Sequence, residues 1–163
     1  MILLDTNIVS EVMKPRPADT VVAWLNDQNS EKLYISAITV GEIAFGLRIL
    51  PDGKRRAGLR ERFEKFVTLA FDQRVLAYDE SAARVYGELM GERRELGLPM
   101  SAPDGQIAAI ARLHHLAVAT RNVPDFESCG IEVVNPFVPV RLAWDAASSG
   151  AGPQGASRGP CSL

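Results

Sequence analysis

Five short apolar runs, separated by stretches of helical periodicity, set the strongest limit on how this chain can fold. The runs are Met1 to Asp5, Leu33 to Ser36, Val75 to Ala77, Leu116 to Thr120 and Ile131 to Val134. Each is rich in aliphatic residues and too short for a helix, the pattern of strands buried on both faces. Helical signals fill the gaps. Thr6 and Asn7 are good N-caps for a helix through Val12, stopped by Pro15 and Pro17, and Thr20 to Gln28 reads as a second helix. Thr39 to Leu50 reads as a third, ended by the turn Pro51-Asp52-Gly53, and Arg55 to Val67 as an amphipathic fourth. Asp79 caps a long helix with the stripe Ala82, Val85, Tyr86, Leu89 and Met90, closed by Gly97 and Pro99. Asp104 to His115 completes the set. Strand and helix in alternation predict an α/β domain, a three-layer sandwich with a mostly parallel central sheet.

The length of 163 residues fits one domain. We place it over residues 1–140, with a tail over 141–163. From Asp145 to Leu163, Ala, Gly, Ser and Pro supply 14 of 19 residues, so a disordered tail is expected there. Two cysteines, Cys129 and Cys161, exclude a disulfide framework and a four-cysteine zinc site. The net charge of −2 gives no global basic footprint for nucleic acid. The chain opens without a basic and apolar leader, and no run is long enough to span a bilayer. The expected address is the cytoplasm, with no membrane partner.

Open α/β sheets bind ligands at the carboxyl ends of their strands, and acids collect there in this chain. Asp5 ends the first run, and Glu42 lies one turn into the helix after Ser36. Asp104 opens the helix leading to Leu116–Thr120, and Asn122 and Asp125 follow that strand. Each has a plain alternative. Asp5 can cap a helix, Asp104 can complement a helix dipole, and Glu42 can be a surface glutamate. Against the last, the helix around Glu42 is apolar nearly all round, which predicts its burial. Together the acids say more. Two carboxylates ~4 Å apart repel by about 4 kcal/mol at an effective dielectric of about 20, so the cluster needs protons or a cation. Oxygen ligands without histidine or cysteine select Mg²⁺ or Mn²⁺ over zinc, and such an ion suits phosphodiester hydrolysis. His114 and His115 read as a helix-terminal pair. No Gly-x-Ser-x-Gly, phosphate-binding glycine loop or dinucleotide fingerprint occurs.

Four segments in order carry a resemblance. Met1-Ile-Leu-Leu-Asp-Thr-Asn7, Ser36-Ala-Ile-Thr-Val-Gly-Glu42, Ala102-Pro-Asp-Gly-Gln-Ile-Ala-Ala109 and Ala119-Thr-Arg-Asn-Val-Pro-Asp-Phe126 resemble the PIN-domain family, most of all its bacterial VapC and FitB-type toxins. The resemblance runs to about Pro139. It implies a metal-dependent endoribonuclease, the toxin of a type II toxin–antitoxin system. By position, Asp5 and Asp104 become the principal metal ligands and Glu42 completes the triad, as a ligand of the metal or of its water. Thr6 and Thr120 support the site through their hydroxyls. At the fourth acidic position, often an aspartate in the family, stands Asn122; with Asp125 three residues on, a one-metal mechanism is the expectation.

The resemblance further implies a homodimer, RNA as substrate, a cognate DNA-binding antitoxin, and operator DNA bound only through that antitoxin. The basic run Lys54, Arg55, Arg56, Arg60, Arg62 reads either as a phosphate or acidic-peptide surface or as a solvated helix face. Asn122 motivates an alternative, a catalytically weak partner acting mainly through antitoxin and operator binding. A phosphatase with an aspartate nucleophile needs a second acid where Asn7 stands, and ranks below both.

Overall fold

The computed structural model describes residues 1–139. The tail expected over 141–163, including Cys161, lies outside the described residues. The sheet has five strands: β1 (Ile2–Leu4), β2 (Leu33–Ser36), β3 (Val75–Leu76), β4 (Ala117–Ala119) and β5 (Val133–Val134). Their order is β3-β2-β1-β4-β5, and every pairing is parallel. The helices are α1 (Thr6–Val12), α2 (Asp19–Asn26), α3 (Ala37–Arg48), α4 (Lys54–Phe71), α5 (Glu80–Glu95), α6 (Ala102–Leu113) and α7 (Val123–Phe126).

Alternation along the central strands divides the core between the two faces. In β1, Leu3 packs with Leu89, Ile107, Ile110 and Phe126 from α5, α6 and α7. Its neighbour Leu4 packs with Ile8, Val21, Ile43 and Phe63 from α1 to α4. In β4, Val118 and Ala119 divide in the same way. Leu3, Val118 and Ala119 have no exposure at all and Leu4 is 2% exposed, so β1 and β4 are covered on both sides as their aliphatic sequences require. The fold is therefore the expected three-layer sandwich.

Chain order places the ligand crevice. From β1 the chain winds outward through β2 to β3, then crosses back to β4 on the other side of β1. The carboxyl ends of β1 and β4 flank this switch point, where helices diverge and leave a cleft. Ile2, Leu3 and Leu4 pair with Ala117, Val118 and Ala119, so Asp5 and Thr120 emerge side by side. The Asp5 N–H continues the ladder, donating to the Ala119 carbonyl at 3.0 Å.

Several elements differ from their sequence-based expectations. Asp5, not Thr6 or Asn7, caps α1, because the chain is still extended at Asp5 and its carboxylate accepts from the Thr6 N–H. Helix α6 begins at Ala102, capped by Ser101, which places Asp104 inside its first turn. Helix α4 runs past Val67 to Phe71, whose buried ring packs edge-on against Phe66. The four-residue α7 and the 3₁₀ turn Ser30–Lys32 are too short to show periodicity. Helix α3 is not buried all round: Thr39, Ile43 and Leu47 face the core while Phe45 and Ile49 are 67% and 66% exposed.

Helices α5 and α6 meet closely at Gly105. A Cβ there lies 2.7 Å from Met90 Sδ and 2.9 Å from Tyr86 Cε2. Overpacking of this kind costs about 1–3 kcal/mol, against up to ~1 kcal/mol gained from alanine's helix propensity. Gly105→Ala is expected to lose about 1 kcal/mol net, seen as a lower urea midpoint with an unchanged slope.

Candidate active site

Asp5 is 3% exposed, and both of its carboxylate oxygens have protein donors. Oδ1 accepts from the Thr6 N–H at 2.6 Å. Oδ2 accepts from the Thr120 hydroxyl at 2.7 Å and from the Asn7 side-chain amide. A carboxylate has about four lone-pair positions, so three donors leave one for a further ligand. Burial pushes the Asp5 carboxyl up from its ordinary 3.8 to about 6; the Thr120 and Thr6 hydrogen bonds oppose the rise, while the charges of Asp104 and Glu42 add to it.

The two other acids reach the same end of the sheet from different helices. Ser36 ends β2 and caps α3 by accepting from the Thr39 N–H at 3.0 Å, which starts the helix that carries Glu42 one turn later. Glu42 Oε2 accepts from the Thr6 hydroxyl at 2.6 Å, joining α3 to α1. Asp104 sits at the third position of α6 in a reciprocal cap. Its N–H donates to Ser101 Oγ at 3.2 Å, and the Ser101 hydroxyl donates back to its Oδ2 at 2.5 Å.

The structure thus gathers Asp5, Glu42 and Asp104 around one crevice, with Thr6 and Thr120 between them. Among the described residues, no three His, Cys, Asp or Glu side chains are grouped closely enough to hold a metal ion as they stand. Glu42 and Asp104 rest instead on the Thr6 and Ser101 hydroxyls. Asn122 is exposed, and its backbone N–H donates to Thr120 Oγ1 at 3.0 Å, the hydroxyl that bonds Asp5. Asp125 N–H donates to the Asn122 carbonyl at 3.0 Å. His114 ends α6 and His115 follows in the left-handed region at φ 55°, both exposed and far from chemistry.

One site residue escapes the sequence reading: Asn7. Its amide nitrogen donates to Asp5 and, at 3.0 Å, to Thr120 Oγ1, while its carbonyl oxygen accepts from the Arg121 N–H at 3.0 Å. It thereby clamps α1 to the segment after β4. The Asp-Thr-Asn sequence carried the signal, since a polar residue two past the acid lies on the same side of the first turn. Ser101 also had a signal, the Ser-x-x-Asp spacing of a reciprocal cap.

Against known proteins, the PIN domain family model matches residues 2–127. The chain belongs to the PIN-domain family, in its VapC/FitB group. It is 45% identical over 139 residues to VapC ribonuclease Y4jK of Sinorhizobium fredii, covering 85% of this chain and 99% of that protein. It is 42% identical over 137 residues to toxin FitB of Neisseria gonorrhoeae, covering 84% and 99%. The solved structure of FitAB bound to an IR36 DNA fragment superposes with a TM-score of 0.82 at 40% identity, covering 86% of this chain and 99% of that one. The crevice of this PIN domain is the switch-point cleft derived above.

The raised Asp5 pKa has a consequence for stability. Between 3.8 and about 6 the folded chain keeps a proton that the unfolded chain has lost, so stability falls as pH rises across that window. The loss attributable to Asp5 is about 3 kcal/mol in all, without divalent ions. Denaturant titrations of wild type and Asp5→Asn at pH 4 and pH 7 are expected to differ in their pH dependence by that amount and sign.

Proposed function

We propose that this chain is a metal-dependent endoribonuclease, the toxin of a type II toxin–antitoxin system, acting in the cytoplasm. The observation that carries the proposal is a buried Asp5 carboxyl, destabilised by desolvation and by two neighbouring acids, at the switch point of a PIN domain. The donor set fits a hard divalent cation: Asp5, Glu42 and Asp104 offer carboxylate oxygens, and neither histidine lies near them. These three residues would hold the metal. When bound, Mg²⁺ or Mn²⁺ supplies Lewis-acid activation of water and charge stabilisation at the scissile phosphate.

The chain's own contribution is positioning. Thr120 and Asn7 fix the rotation of Asp5, the Thr6 hydroxyl aims Glu42 across from α1, and Ser101 holds Asp104 at the start of α6. These hydroxyl and amide donors stabilise the ionised carboxylates without adding a competing cation. Asn122 adds no charge at the fourth position, which supports a one-metal site. Among the described residues no helix is long and apolar enough to cross a membrane. The FitAB–DNA complex supports a partner of the same kind here, a cognate antitoxin that carries the contact to operator DNA. We propose a homodimer on the strength of the same family.

In purified form with Mg²⁺ or Mn²⁺, the chain is expected to cleave RNA. Asp5→Asn and Asp104→Asn are each expected to cut the rate at least about 100-fold, the size of loss that follows removal of a groups acting on transition-state charge. Thr6→Val, which leaves Glu42 without its hydroxyl donor, should give a smaller loss. Equal activity in wild type and both aspartate variants contradicts the proposal, and growth arrest that survives Asp5→Asn favours the non-catalytic alternative.

A further inference from the structure

A second polar cluster lies one helical turn along α1 from Asn7. Glu11 shares a face with Asn7, and its side chain is 6% exposed. Its carboxylate collects donors from three parts of the chain. Lys14 Nζ reaches Oε2 at 2.6 Å, the Ala18 N–H reaches Oε1 at 3.0 Å, and Arg121 Nη2 reaches Oε2 at 3.0 Å. The Lys14 hydrogen bond leads in holding the Glu11 carboxyl below the usual range, with Ala18 and the charges of Lys14 and Arg121 adding to it. The Arg121 guanidinium also stacks over Phe137, 3.9 Å from the ring centroid.

Two cations therefore share one buried anion, for a net charge of +1. Both remain reachable: the Lys14 side chain is 53% exposed and that of Arg121 50%. Lys14 also lines a groove of about 300 Å³ that includes Thr6 and Glu42, continues over apolar Met13, Ile43 and Leu59, and carries Arg55. The groove runs from Thr6 and Glu42 to Lys14, one of the two cations. A structural salt bridge alone needs one cation and no connection to the site.

We infer that Glu11 is a positioning residue that presents Lys14 and Arg121 as a paired clamp for a backbone phosphate of single-stranded RNA next to the scissile one. The inference rests on the ribonuclease reading of the crevice. Charge complementarity selects the occupant: cations at the rim suit phosphates and an apolar floor suits bases, the combination that single strands use. The carboxylates of the crevice repel RNA, so nearby positive charge is needed to hold the strand over them.

The test uses fluorescein-labelled, mixed-sequence single-stranded RNA. Its affinity is measured against salt for the full chain carrying Asp104→Asn, and cleavage is measured in the Asp104 form. Lys14→Ala and Arg121→Ala are each expected to raise Kd about three- to fivefold and to flatten the logarithmic salt slope by about 0.7. In cleavage they raise KM while kcat holds, and Lys14→Arg restores wild-type values. Glu11→Gln separates positioning from bulk charge: a positioned pair binds RNA more weakly, whereas a mere basic patch binds it more tightly. Wild-type cleavage with unchanged Kd and slope in both alanine variants overturns the clamp and leaves the ribonuclease reading standing. Loss of poly-glutamate binding with RNA binding intact overturns it in favour of an acidic protein partner. Failure of wild type to cleave RNA under any divalent ion removes the parent reading and the clamp with it.

Discussion

The burial of one carboxylate at the end of a central strand organises this molecule. Asp5 follows a strand with no room for water on either face, so its charge enters the crevice already desolvated. The chain answers with three hydrogen-bond donors: the Thr6 N–H and the Asn7 amide are local, and the Thr120 hydroxyl comes from the far side of the sequence. These donors leave the carboxyl raised to about 6, since burial outweighs them and the charges of Asp104 and Glu42 add to the rise. A site that stabilised Asp5 fully as an anion has less to gain from a cation. The fold withholds part of that stabilisation, which on the proposed reading a divalent ion would complete.

Topology makes this arrangement possible. Pairing β1 with β4 brings Asp5 and Thr120 together although 115 positions separate them. The switch of winding direction opens the cleft between them; α1 brings Thr6 and Asn7 to it from its first turn, α6 brings Asp104 from its first turn, and α3 brings Glu42 from its second. The same clamp between α1 and the segment after β4 carries Glu11 and Arg121 one turn further along. The proposed metal crevice and the proposed cationic rim are thus successive turns of one helix against one loop.

Much of this was legible in the residues. The central strands announced themselves as aliphatic runs because they are buried on both faces, and Asp5, Glu42 and Asp104 could be placed because strand ends are where such sheets bind ligands. The expected burial of Glu42 rested on a mistaken premise. Helix α3 has the composition of a fully buried helix, yet Phe45 and Ile49 face outward in the single chain, since composition does not say which apolar residues find a partner. Asn7, Glu11 and Arg121 were missed for a different reason. The bonds that tie Asn7 and Glu11 to Arg121 join residues more than 100 positions apart, and neither periodicity nor local propensity encodes such pairs.

The central claim is that carboxylates from β1, α3 and α6 serve a single hard cation. Anomalous diffraction from crystals grown with manganese tests it most directly. The account predicts one strong peak in the β1–β4 cleft, bonded to oxygens of Asp5 and Asp104, with Glu42 bound directly or through one water. Manganese bound elsewhere on the chain, with these three side chains still resting on their hydroxyl and amide donors, would contradict it.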